Sequence, residues 1–110
     1  MRHDKRRFVE QVDFITTPGY LSGPGARETA GLPPGTGPFR VVSNLAVMGY
    51  HPRTRRMMLI ATQPGVTIEE VMDNTGFDLV ISDQVESNPP PSAEELHILR
   101  EEVDRDRYYI

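Results

Sequence analysis

Between residues 18 and 38 the chain carries Pro18, Gly19, Gly23, Pro24, Gly25, Gly31, Pro33, Pro34, Gly35, Gly37 and Pro38. Proline fixes φ and removes an amide donor, while glycine leaves φ free. No regular element is expected to survive that density of both. A loop this long is uncommon in a compact domain, and it points to a functional loop or to a surface that packs on another chain. Helices and strands must therefore come from the short segment before it and the longer one after it.

Before the loop, Phe8 to Thr16 alternates with Phe8, Val12 and Phe14 on one face, then meets Thr17-Pro18-Gly19. That pattern predicts a strand. After the loop, Phe39 to Tyr50 and Met57 to Thr62 are β-rich runs separated by the polar, proline-bearing His51 to Arg56. They predict an antiparallel hairpin. Thr67-Ile68-Glu69-Glu70 is a capping box that opens a helix, with Ile68, Val71 and Met72 on its apolar face. Asn74-Thr75-Gly76 should end that helix, and Phe77 to Ile81 reads as a short strand. Ser87 to Pro91 is a stiff linker. Ser92-Ala93-Glu94-Glu95 is a second capping box. Leu96, Leu99 and Val103 then recur at i, i+3 and i+7, predicting an amphipathic helix over about 93–104.

The 110 residues are expected to form a single domain, 1–110, of mixed α/β class. The net charge of -4 gives no reason to expect nucleic acid, whose binding needs a basic stripe. The chain has 0 cysteines, which excludes disulfides, a thiolate metal site and a cysteine nucleophile. No apolar run approaches the ~20 residues of a membrane span. The charged start lacks the apolar core of a signal peptide. These features suit a cytoplasmic protein.

Few residues suggest chemistry. His3, His51 and His97 form no metal spacing; His51, in a hairpin turn, and His97, beside a helix stripe, read as surface or structural histidines. Glu69-Glu70 and Glu94-Glu95 could be paired carboxylates, but acids in a first helical turn are explained by capping and the helix dipole. Ser22-Gly23-Pro24-Gly25-Ala26-Arg27-Glu28 imitates a phosphate cradle without the Gly-Lys-Ser/Thr of a P-loop, and its prolines remove the amides that a cradle uses. The run Arg2-His3-Asp4-Lys5-Arg6-Arg7 is the one patch suited to an anionic partner; its bland alternative is a solubilising terminus.

Several ordered segments go further. His3-Asp4-Lys5-Arg6-Arg7-Phe8-Val9-Glu10, Asp13 to Leu21, Gly23-Pro24-Gly25-Ala26-Arg27, Arg40 to Val47, Gln63 to Thr67, Asn74 to Phe77 and Pro90 to Leu96 resemble the β subunits of family I CoA-transferases, in their glutaconate-type branch. The resemblance covers nearly the whole chain and implies the C-terminal part of that subunit: a partial α/β domain with a mixed sheet, a β-hairpin and two short-to-medium helices. Met1 resembles an internal methionine of the family, which implies a truncated product, a split subunit or a fragment. The family's chemistry is a ping-pong exchange in which a glutamate becomes a glutamyl thioester of CoA. That glutamate belongs upstream of the matched region, so no catalytic residue is carried over. Coenzyme A is implied as a substrate, with no tightly bound cofactor and no metal. The implied partners are the α subunit and the missing β-subunit half, or further copies of this chain; neither nucleic acid nor membrane is expected. Lys5, Arg6 and Arg7 are the candidates for contacting CoA phosphates or a subunit interface. Two competing expectations are a non-catalytic assembly module and part of a related acyl-CoA hydrolase.

Overall fold

The computed structural model describes residues 1–109. Its centre is a four-stranded mixed sheet in the order β1-β2-β3-β4, formed by β1 (Val41–Val42), β2 (Ala46–Tyr50), β3 (Met57–Thr62) and β4 (Val80–Ser87). β1 pairs antiparallel with β2, β2 antiparallel with β3, and β3 parallel with β4. The parallel pair needs a crossover, and helix α2 (Ile68–Asp73) provides it. A one-turn helix α1 (Ala26–Thr29) lies in the long loop, and α3 (Ala93–Ile98) runs into a π-helical turn at Leu99–Val103.

The expected hairpin is present as β2 and β3, with Tyr50 opposite Met57 and Ala46 opposite Thr62. Phe39 to Tyr50 is not one strand, however. It folds back on itself, because Ser43 Oγ accepts from the backbone N–H groups of Leu45 at 3.2 Å and Ala46 at 3.0 Å. A serine that takes up two amides in this way builds a turn where β propensity alone would continue the strand.

The core is small: Phe8, Leu45, Ala46, Met48, Leu59, Val71 and Leu79 are buried together. Met48 and Leu59 come from adjacent strands, and Val71 is the buried residue of α2. Helix α2 starts where the capping pattern puts it, with Thr67 Oγ1 accepting from Glu70 N–H at 3.1 Å.

Several expectations need correction. Phe8 to Thr16 is not a strand: it makes a single parallel bridge, Val9 with Gly76. Phe8 enters the core, but Val12 and Phe14, on the same expected face, are exposed, Phe14 by 78%. β propensity reports fitness for a half-buried sheet surface, and no neighbouring strand offers one here. The loop does hold an element, since Ala26 to Ala30 carries neither glycine nor proline and Gly25, at φ 76, turns the chain into α1. The final helix is α-helical only to Ile98; the Asp104 N–H then reaches back to the Leu99 carbonyl at 2.7 Å. This i→i+5 bond widens the turn, and the expected stripe is left uncovered: neither α3 nor the turn has a buried residue, and Leu99 and Val103 are both exposed, Val103 by 72%. The short strand after α2 begins later and runs longer than expected, at 80–87.

Gly76 sits against the N-terminal segment. Its N–H donates to the Phe8 carbonyl at 2.7 Å, and a Cβ at this position would collide with the same oxygen. Gly76→Ala should therefore separate the segment from α2 and cost about 1–3 kcal/mol, the usual scale for steric overpacking. Urea denaturation of the two forms would measure it, and an unchanged midpoint would contradict the close approach.

Candidate functional site

His3 organises the start of the chain. It is 3% exposed, and its ring stacks on Phe8 with centroids 3.9 Å apart. Nδ1 lies 2.9 Å from Ser43 Oγ and Nε2 lies 2.9 Å from Thr75 Oγ1. The partners set the tautomer. Thr75 donates its own proton to the Val71 carbonyl at 2.7 Å, so its oxygen accepts from Nε2–H. Ser43 Oγ already accepts two backbone N–H groups, which occupy both of its lone pairs, and its hydroxyl faces two acceptors, the Ala46 carbonyl at 3.3 Å and the nearer, unprotonated Nδ1 at 2.9 Å. The imidazole is thus neutral. Burial holds its pKa below the ordinary histidine range, against the smaller opposing pull of Asp4. The His3 N–H also donates to Asn44 Oδ1 at 2.7 Å. In the sequence His3 stands out only as lacking metal spacing; long-range hydroxyl partners leave no local signature.

This anchor presents the basic run. Asp4 gathers its neighbours: Oδ1 accepts from the N–H groups of Arg6 and Arg7, each at 3.1 Å. Its carboxylate also pairs with Arg7 and, at 3.7 Å, with Arg2. Desolvation works against the Asp4 charge, but Arg7 and the two amides outweigh it and hold the carboxyl below its usual range. The three candidate cations are therefore unequal. Arg7 is tied to Asp4, whereas Lys5 and Arg6 are exposed and form no ion pair among the described residues. Lys5 borders a cleft of about 490 Å3 shared with Met72, Thr75 and Phe77.

A second concave region lies at the long loop, and the pairing of that loop with the hairpin turn has no signature in the sequence. The long loop closes against the turn between β2 and β3 around a cavity of about 220 Å3 lined by Tyr20, Arg27, Glu28, Thr36 and Arg55, among others. The Tyr20 hydroxyl donates to the Pro38 carbonyl at 2.9 Å, and its ring meets Tyr50 edge-on. Gly37, at φ 143, leaves room for that ring. On the other side of the cavity, His51 Nδ1 accepts from the N–H groups of Arg53 and Thr54, each at 3.2 Å, so this histidine shapes the turn. Of the candidate acids, Glu95 completes a capping box, where the Ser92 N–H, first, and its hydroxyl hold the carboxyl below its ordinary range, while Glu69, Glu70 and Glu94 lie in first helical turns. No group of metal-binding side chains occurs among the described residues.

Comparison with known proteins assigns this architecture. The sequence profile described as Coenzyme A transferase matches residues 1–74. The chain belongs to that family. Over its whole length it is 42% identical to the B subunit of glutaconate CoA-transferase from Acidaminococcus fermentans, covering 41% of that protein. It is 33% identical to the B subunit of 3-oxoadipate CoA-transferase from Pseudomonas knackmussii, with 91% of this chain and 38% of that protein aligned. It is 34% identical to a cholesterol ring-cleaving hydrolase IpdB subunit of Mycobacterium tuberculosis over 93% of this chain and 40% of the relative. The crystal structure of the A. fermentans glutaconate coenzyme A-transferase superposes with a TM-score of 0.91 at 38% identity, covering 100% of this chain and 42% of that one. The chain therefore spans about two-fifths of the length of the relatives it matches, and its mixed sheet is that of the family's α/β fold.

Because folding prefers neutral His3, the unfolded chain binds the extra proton. The stability that His3 contributes is complete above its ordinary pKa of 6.5 and is lost as pH falls below it. Thermal midpoints measured between about pH 7.5 and about pH 5.5 should decline in the parent. The decline should be markedly shallower in His3→Gln, which has no imidazole to protonate, and equal slopes in the two proteins would rule out the neutral anchor.

Proposed function

We propose that residues 1–110 form one domain, the C-terminal portion of a CoA-transferase β subunit. With the rest of that subunit and an α subunit, it would move CoA between an acyl-CoA and a carboxylic acid of the glutaconate or 3-oxoacid type. The observation that carries this reading is the full-length likeness to the glutaconate enzyme, in sequence and in backbone course. The glutamyl nucleophile of the exchange is assigned to the rest of the enzyme, since Glu70 and Glu95 here sit at helix caps. The exposed apolar side chains Val12, Phe14, Ile15 and Phe39 favour packing on partner chains, whether subunits of the other type or further copies of this one. A cytoplasmic location fits these partners and CoA as substrate.

Within this reading Lys5 and Arg6 are the groups free to meet CoA phosphates or a neighbouring subunit, and Arg7 positions Asp4. In the assembled enzyme, replacing Lys5 and Arg6 with alanine should raise the KM for acyl-CoA about two- to five-fold with kcat preserved, the scale of one or two exposed ionic contacts. Arg7→Ala should do less to KM and more to stability. If the double replacement changes neither KM nor subunit assembly, these cations have no such role. Borohydride treatment of the enzyme incubated with acyl-CoA reduces a glutamyl thioester, and the modified glutamate should lie outside this chain.

The comparable identity to a hydrolase subunit supports a second reading, in which water takes the place of the acceptor acid. Product analysis separates the two: transfer yields a new acyl-CoA, whereas hydrolysis yields the free acid and releases the CoA thiol or, where a ring carbon–carbon bond is cleaved, yields a ring-opened CoA thioester.

A further inference from the structure

We propose that the cavity between the glycine- and proline-rich loop and the β2–β3 turn binds an oxyanion headgroup, a carboxylate or a phosphate, through Arg27 and Arg55. This site is separate from Lys5 and Arg6 and does not depend on the CoA-transferase reading.

Two guanidinium groups line one cavity, and neither forms an ion pair among the described residues; the ion pairs formed there both involve Asp4. Glu28 lines the cavity too, so the two cations outnumber the one acid. Arg27 is held ready. Its Nη1 donates to the Gly19 carbonyl at 2.6 Å and its Nη2 to Thr36 Oγ1 at 2.8 Å. Its Nε is buried and has no acceptor. A guanidinium carries five donors in a fixed fork, and an oxyanion is the partner that this fork fits best. Because Nε has no accessible surface, the cavity is met by Nη1 and Nη2, each of which keeps one hydrogen beyond its bond to Gly19 or Thr36.

Arg55 is held from a different direction. It adopts φ 58, a left-handed conformation that disfavours side chains other than glycine, asparagine and aspartate. The turn maintains it: the Arg55 N–H donates to the His51 carbonyl at 2.9 Å. The guanidinium lies 5.1 Å from the centroid of the Tyr20 ring, which the Pro38 carbonyl fixes in turn. The prolines of the loop withhold the amides that a backbone phosphate cradle would use, so recognition falls to the side chains. A volume of about 220 Å3 is below the ~300 Å3 at which pockets for drug-sized ligands begin. It suits a small acid or the headgroup of a larger molecule.

The test is titration of the purified protein, 15N-labelled, with glutarate and with inorganic phosphate at constant ionic strength, following the arginine Nε–H and loop amide resonances. A saturable shift at Arg27 Nε–H and at the Gly25 and Gly35 amides is expected with at least one probe. Tighter saturation by glutarate marks a carboxylate site, and tighter saturation by phosphate marks a phosphate site. Arg55→Gly removes the guanidinium and suits the positive φ, so the protein should keep its thermal midpoint while affinity falls about tenfold, the effect of losing one charge-assisted contact. Arg27→Lys keeps the charge without the fork and should weaken binding as well; if it loosens the loop, Arg55→Gly decides alone. Lys5→Ala with Arg6→Ala should bind as the parent does. Shifts that follow ionic strength without saturating, or saturation unchanged in Arg55→Gly, would overturn the proposal.

Discussion

The contact on which the arrangement depends most is the one between His3 and the two hydroxyls of Ser43 and Thr75. Ser43 forms the turn into β2, and Thr75 follows the end of α2, so one imidazole joins the N-terminal segment to a sheet turn and to the crossover helix. Such a buried network is stable only when every member is satisfied. Here each donor meets an acceptor, from the Leu45 and Ala46 amides through Ser43, His3 and Thr75 to the Val71 carbonyl. Phe8 stacks on the ring and enters the core, so the start of the chain is held at His3 and Phe8 while residues 9–17 stay exposed.

That anchor also determines what the basic run can do. With His3 buried and Asp4 beside it, the backbone turns so that Asp4 collects the Arg6 and Arg7 amides. Arg7 is consumed locally, and Lys5 and Arg6 face outward. The same division between committed and free cations recurs in the loop, where Arg27 ties Gly19 to Thr36 and still keeps a donor unspent. The small core and the large exposed apolar side chains on the N-terminal segment accord with a chain that packs against others of its family.

Local chemistry was legible. Thr67 and Ser92 open their helices because each hydroxyl accepts a first-turn amide, joined at Ser92 by the Glu95 carboxylate, and this needs no tertiary partner. The β2–β3 hairpin follows from two apolar runs flanking a polar turn. The ordered segments carrying the family likeness were also readable without coordinates. Elements that depend on remote partners were not. Phe8 to Thr16 has the alternation of a strand, yet alternation does not supply a neighbour to pair with. Leu96, Leu99 and Val103 have the spacing of an apolar stripe, yet no other element covers it, and no residue of the last helix is buried. The loop cavity was invisible for the same reason: Arg27 and Arg55 stand far apart in sequence, and only the fold of the loop over the hairpin turn brings them to one space.

The sequence by itself determined where α2 and α3 begin, which runs can form a hairpin, the excluded classes of thiolate and disulfide chemistry, and the family. These follow from interactions between residues within a few positions of each other, or from composition and ordered motifs. Only the tertiary structure decided that His3 is a neutral buried tether, that Arg7 is paired while Lys5 and Arg6 are free, and that the glycine- and proline-rich loop encloses a cationic cavity. Each of these rests on contacts or placements in space that no local pattern records, and burial, which sets both the charge state of His3 and the unmet donor of Arg27, exists only once the chain has closed on itself.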